Sequence, residues 1–209
     1  GSRTQRIGEV VERHLLGKGI DAEKATEIAR EVGGAFGKMK AKGVQTEQLA
    51  FISPEERDTA LDFAEKLAGG EALPEKKALA KMLLRTADGA ADIAMFGRML
   101  ADNPGYNRDA AVQVSHALTT NTVVIEDDYY TAVDDLKTPA EDAGAGFIGE
   151  AGFGAGVFYL YVCVDRDLLV TNLGGDRDLA RKSLEALVRA VATASPSGKR
   201  NSFANHVRA

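Results

Sequence analysis

Tryptophan is absent from this chain, and cysteine occurs once, at Cys163. A single thiol cannot close an intramolecular disulfide and excludes zinc sites built from several cysteines, which suits a reducing compartment, the cytoplasm. No apolar run approaches the roughly 18 residues of a membrane span, and the amino terminus has neither an apolar core nor a small-residue cleavage site. Neither a membrane partner nor secretion is expected. Also missing are a phosphate loop ending in Gly-Lys-Ser/Thr, a nucleophile elbow around Ser115 or Ser183, and any metal-ligand set at fixed spacing around His116. The expectation is no catalytic residue, no metal and no cofactor. Nor is there a basic excess: 26 Lys and Arg face 31 Asp and Glu, a net charge of −5, so any nucleic-acid site must be local.

What is present is enough for one substantial core: 209 residues, 44% of them hydrophobic. Both ends read as cut. Gly1-Ser2 resembles the remnant of a cleaved tag, and Asn205-His206-Val207-Arg208-Ala209 reads like the start of a strand. A piece of a longer protein is expected.

The first half reads as helical. Val10, Val11, His14 and Leu15 follow one helix face, stopped by Gly17 and Gly19. Asp21 caps a second helix carrying Ala25, Ile28, Ala29, Val32 and Phe36. Gln48 to Ile52 is a short strand. Ser53-Pro54-Glu55-Glu56 starts a helix through a capping box and proline in the first turn, and that helix ends at Gly69-Gly70. Glu75 to Thr86 is another amphipathic helix, with Lys76, Lys77, Lys81 and Arg85 on its wet side.

From about residue 88 the pattern shifts toward strands. Asp92 to Met99 has the length and bounding glycine of a buried strand. Val112 to Thr120 alternates as a strand does, although a helix is possible, and Val157 to Asp165 is aromatic and β-branched, with Cys163 expected to be buried. Leu179 to Ala194 is an amphipathic helix with Leu184, Leu187, Val188 and Val191 on its buried face. Strands followed by a packed helix predict an α+β architecture.

Two segments stand out by charge. Glu126 to Glu150 holds eight acids against Lys137 alone, leaving the rest of the chain net positive, and six glycines crowd Gly144 to Gly156. They predict a long excursion from a sheet. Ser195 to Arg208 contains three bases and no acid, with Phe203 among polar donors. Positive charge beside a stacking ring is how single strands are held, phosphates on cations and bases on a π-face. The competing description is a solvated loop entering the next strand.

The blocks Asp92 to Met99, Val112 to Asn121, Asp128 to Leu136, Gly156 to Tyr161, Asn172 to Gly175 and Gly198 to Ala204 together resemble the CasC family. That family is the CRISPR-associated backbone subunit of the subtype I-E Cascade complex, within the RAMP superfamily. The resemblance is close over residues 85 to 209 and looser before. It implies an RRM-like (ferredoxin-like) palm, incomplete here, with a helical finger insertion and a β-hairpin thumb. By position these map to a helical finger region at 1-88, palm strands at 89-125, thumb and Gly-rich loop at 126-156, and palm strand, helix and basic loop at 157-209. Family members open with a short strand and a basic Ser-Ser-Gln-like segment not found here, and run on past position 209.

The implied function is non-enzymatic: copies polymerise along CRISPR RNA and hold it for pairing with target DNA. The implied partners are CRISPR RNA, target DNA through the guide, neighbouring copies and other Cascade subunits. Carried over by position, Met99 is the palm wedge against bases, with Arg98 its phosphate or packing partner. Tyr130, Thr131 and Val133 form the thumb base touching a displaced nucleotide. Lys199 and Arg200 form the basic loop, with Phe203 beside it. Two other readings remain: a metal-dependent RNA-cleaving backbone subunit of a type III complex, with Asp134 or Asp135 as its acid, and a pure protein-interaction module.

Overall fold

The computed structural model describes residues 1–132, 135–136 and 147–203. The chain divides into two units, one formed by 1–113 with 164–209 and the other by 114–163.

The first unit is built on helices. Helix α1 (Ile7–Gly17) buries Ile7, Val11 and Leu15, four residues apart and therefore on one face. Helix α2 (Ala22–Gly33) starts where the Asp21 carboxylate accepts from the backbone N–H groups of Glu23 and Lys24 at 3.0 and 3.4 Å. It ends at Gly33, so Phe36 joins the core from the following turn. Helix α3 (Pro54–Ala68) carries the expected capping box, with Glu56 N–H donating to Ser53 Oγ at 3.1 Å and Ser53 N–H donating to Glu56 Oε2 at 3.0 Å. Helix α4 (Lys76–Leu83) adds Leu79 and Leu83 to the same core. Strands β1 (Ser2–Thr4) and β2 (Ala50–Ile52) pair antiparallel, Arg3 opposite Phe51; β2 lies within the expected strand, whereas β1 is a short opening strand where the sequence led us to expect none, formed because β2 supplies its backbone partner. Between α1 and α3, Glu65 accepts from Lys18 and pairs with His14 Nε2 at 2.6 Å. Those hydrogen bonds, His14 first, hold its carboxyl below the ordinary carboxylate range.

The expected strand over Asp92 to Met99 is instead helix α5 (Ala91–Phe96). Alanine and methionine favour helix, Ile93 is its one β-branched residue, and Gly97 at φ +72° ends it. The segment expected as palm strands thus begins with a helix. A 3-10 turn (Pro104–Tyr106) and strand β3 (Val112–Val114) follow. After strand β8 (Val162–Val164), helix α6 (Arg166–Asn172) packs on α5, and Asn172 Nδ2 donates to the carbonyls of Ala94 and Asp109, both at 3.0 Å.

Helix α7 (Arg177–Thr193) matches its expected span but not its expected buried face. Ala180 and Ser183 are buried, whereas Val188 is 70% exposed and Val191 is exposed as well. Periodicity marks an apolar stripe; it does not supply the surface that covers it. The last described element, helix α8 (Arg200–Phe203), lies in the stretch expected as a loop, and the strand start expected at 205–209 lies outside the described residues. Among the described residues no helix is long and apolar enough to cross a membrane.

The second unit is a set of short antiparallel pairings. Strand β4 (Leu118–Thr119) pairs with β7 (Phe158–Tyr159), and β5 (Glu126–Ala132) pairs with β6 (Phe147–Phe153). The long strand expected over Val157 to Asp165 is therefore broken at Leu160 and Tyr161 into β7 and β8, and Cys163 is exposed. Strand β6 runs through the glycine-rich stretch because Gly149, opposite Tyr130, leaves room for that ring. A Cβ there would lie 2.5 Å from it.

Candidate functional site

The turn Gly97–Leu100 of the first unit presents one exposed residue, Met99, between buried neighbours. Gly97 is required twice: its φ is positive, and a Cβ would stand 2.7 Å from the Arg108 carbonyl. Beyond it, Arg98 and Arg108 exchange two backbone hydrogen bonds, each 3.0 Å. Leu100 N–H donates to Asn107 Oδ1 at 2.7 Å, and the Leu100 side chain is buried. Met99, between these fixed neighbours, is 75% exposed, and Phe96 is exposed just before the turn.

The Arg98 side chain points inward. Its Nη1 and Nη2 bind the two oxygens of Glu56 at 2.6 and 2.7 Å, with both side chains almost wholly buried. The remaining donors reach the carbonyls of Phe51, Arg85 and Tyr106 at 3.1, 2.7 and 3.2 Å. All five guanidinium donors are thereby used. In this structure the Arg98 guanidinium therefore has no free donor for the phosphate contact expected of it. Glu56 is equally occupied, since Oε1 also accepts from Arg85 N–H at 2.7 Å.

A second buried pair lies beside the first. Arg108 Nη1 donates to Asp88 Oδ1 at 2.8 Å, and Nη2 donates to the Arg85 carbonyl at 3.1 Å, the same oxygen that Arg98 uses. Burial pushes the Asp88 carboxyl up, but hydrogen bonds from Arg108, Ser53 and the Ala90 N–H outweigh it and hold the group below its ordinary value. A carboxyl depressed in the folded state stabilises fully above its unfolded value of about 3.9 and loses that contribution as pH falls through the lower folded value. The denaturant midpoint of the first unit is therefore expected to fall steeply below about pH 4, and to fall less steeply in Asp88→Asn. Equal slopes in the two proteins would refute the assignment to Asp88.

The other expected residues form two further groups. Tyr130 and Thr131 lie on β5 and are exposed, with the Tyr130 ring centroid 5.9 Å from that of Phe147. Val133 and Asp134 lie outside the described residues; Asp135 is exposed. The acids Glu126, Asp127 and Asp128 line β5 and Glu150 lies on β6, so this hairpin is acidic and aromatic at once. In the first unit, Lys199 adopts φ +50° at the start of α8, places Nζ 5.4 Å from the Phe203 ring centroid, and its carbonyl accepts from Phe203 N–H at 3.0 Å. Lys199, just before α8, thus lies over the ring of Phe203 within it, and Arg200 opens the same helix.

Glu56, Asp88, Asn107 and Arg108 went unseen in the sequence as support for the turn. The capping box identified Glu56 as a helix-start residue, but its second partner lies 42 positions away, and no local pattern encodes that distance.

A family model described as "CT1975-like protein" matches residues 1–209. Among curated proteins none matches the chain. A solved chain of a "CRISPR RNA-guided surveillance complex, pre-nicking" is 29% identical, with a TM-score of 0.83 over 98% of this chain and 60% of its own. A chain of another "CRISPR RNA-guided surveillance complex" is 41% identical over 56% of this chain and 44% of its own, with a TM-score of 0.48. This chain therefore spans about three fifths of the first relative's length.

Proposed function

The chain belongs to the CT1975-like family, a CasC-type family of CRISPR-associated proteins, and from that premise we propose that it is a backbone subunit of a Cascade surveillance complex. In this reading copies of the chain line up along a CRISPR RNA and hold it open for pairing with target DNA, beside other Cascade subunits and without chemistry of their own. The observation that carries the reading is the match over nearly the whole chain to a subunit of an RNA-guided complex.

The described surfaces suit a scaffold that must accept any guide sequence. Met99 offers an apolar side chain to base faces, and Tyr130, Thr131 and Phe203 are exposed and able to touch a base without reading its edge. Stacking of this kind is worth about 1–3 kcal/mol per base and is indifferent to sequence. Lys199 and Arg200 supply the phosphate contacts. The RRM-like palm and the subtype I-E assignment belong to the same proposal.

Lys199→Ala with Arg200→Ala is expected to weaken binding of CRISPR repeat-spacer RNA equally for all spacers. It should also reduce the salt dependence of log affinity by about 0.7 for each single-strand phosphate that is no longer neutralised. A gel-shift titration at several salt concentrations measures both. Weakening confined to particular spacers, or no RNA binding by the parent protein, would overturn the reading. Metal-dependent cleavage of a paired RNA, abolished by Asp134→Ala, would replace it with the type III alternative.

A further inference from the structure

We propose that the two buried ion pairs beneath the Gly97–Leu100 turn, together with Asn107, are positioning residues that hold Met99 in its RNA-contacting place. The proposal rests on the reading of Met99 as a base contact and goes beyond it by naming what makes that contact effective.

Methionine is a poor wedge by itself, because its unbranched side chain has three rotatable bonds and adapts to whatever it meets. An exposed methionine can displace or separate bases only if its backbone cannot yield. Here each flanking residue is tied down by a different part of the first unit. Arg98 is fixed by Glu56 at the start of α3 and by the Arg85 carbonyl. Its backbone is fixed by Arg108, which Asp88 holds in turn. On the far side, Leu100 is fixed through its N–H by Asn107 and through its side chain by burial. Two buried ion pairs meeting at one carbonyl are a costly way to make a surface turn stable, since apolar packing is often at least as stabilising as a buried pair. What the pairs do supply is a fixed geometry at the one exposed residue between them, which is the preorganisation that a functional contact needs.

A positioning role and a merely structural one differ in coupling to Met99. The test is a double-mutant cycle on binding of CRISPR repeat-spacer RNA by the whole protein, at a temperature where every variant is folded by circular dichroism. Asn107 is the first choice because it is exposed and its removal deletes a single hydrogen bond to the turn; Asp88→Asn is the second, stronger variant. Asn107→Ala is expected to weaken RNA binding about threefold to tenfold with no change in salt slope, since every phosphate partner stays in place. The double variant Met99→Ala/Asn107→Ala should bind no more weakly than Met99→Ala alone, while the lowering of the thermal midpoint by Asn107→Ala is the same in both backgrounds. Additive reductions in affinity, or a lowered midpoint with unchanged affinity, would overturn the positioning role and leave the Met99 contact standing. If Met99→Ala itself binds RNA as the parent does, the contact reading fails and the positioning role fails with it.

Discussion

Arg98→Ala is expected to remove about 3–5 kcal/mol from the stability of the first unit, because it leaves the Glu56 carboxylate charged and buried without its cation. Three physical effects act in the same direction. The bidentate contact at 2.6 and 2.7 Å disappears. The carbonyls of Phe51, Arg85 and Tyr106 are deprived of a charged donor. The vacated space lies beneath a turn whose other members cannot move to fill it. Adding Glu56→Leu should recover only part of the stability. Removing the stranded charge helps, but Glu56 also accepts from the backbone N–H groups of Ser53 and Arg85, and those donors would then be unsatisfied. Denaturant unfolding followed by helical circular dichroism reports on this unit, since every helix among the described residues belongs to it. A destabilisation below about 1 kcal/mol for Arg98→Ala would show that the pair is hydrated in solution.

Gly8→Ala is the second large effect, and its sign runs against helix propensity. In an open helical position alanine is preferred to glycine by about 0.8–1 kcal/mol. At Gly8 in α1, however, an added Cβ would lie 2.0 Å from the Val44 carbonyl oxygen, so either the helix or the 43–46 segment must move. That segment is held by Thr46 N–H donating to the Gln5 carbonyl at 2.9 Å and by the Arg30 guanidinium donating to the Gly43 carbonyl. Overpacking against fixed backbone costs about 1–3 kcal/mol, more than the propensity gain offsets, and the expected outcome is a net destabilisation of up to about 2 kcal/mol. Gly17→Ala in the same helix is the control, because nothing lies within 4 Å of its Cβ; there the midpoint should hold or rise. Matching behaviour of the two variants would mean that the close approach of α1 to Val44 is absent in solution.

The elements legible in the sequence were those whose cause is local. The capping box at Ser53, the Asp21 cap, the glycines after α1 and α3 and the four-residue spacing of Val11 and Leu15 act within a turn or two, so reading them in order is enough. The β5–β6 hairpin was legible only through the family resemblance, because the glycines of β6 blur any alternation along that strand. The Asp92 to Met99 block carries the family resemblance but does not reveal its own helix, because a short apolar run bounded by glycine fits either period and only its neighbours decide.

What composition and pattern determined by themselves was the class: an α+β chain with one thiol, a local rather than global positive charge, and ordered motifs that resemble one family. What only the tertiary structure decided was the use of each side chain. Arg98 and Met99 are adjacent in the chain and opposite in fate, one consumed by Glu56 in the interior and the other exposed to whatever binds. The physical reason is that a buried ion pair depends on two groups brought together across 42 residues. That distance is set by how α3, α5 and the 97–108 segment pack, and it leaves no trace in the local sequence of either partner.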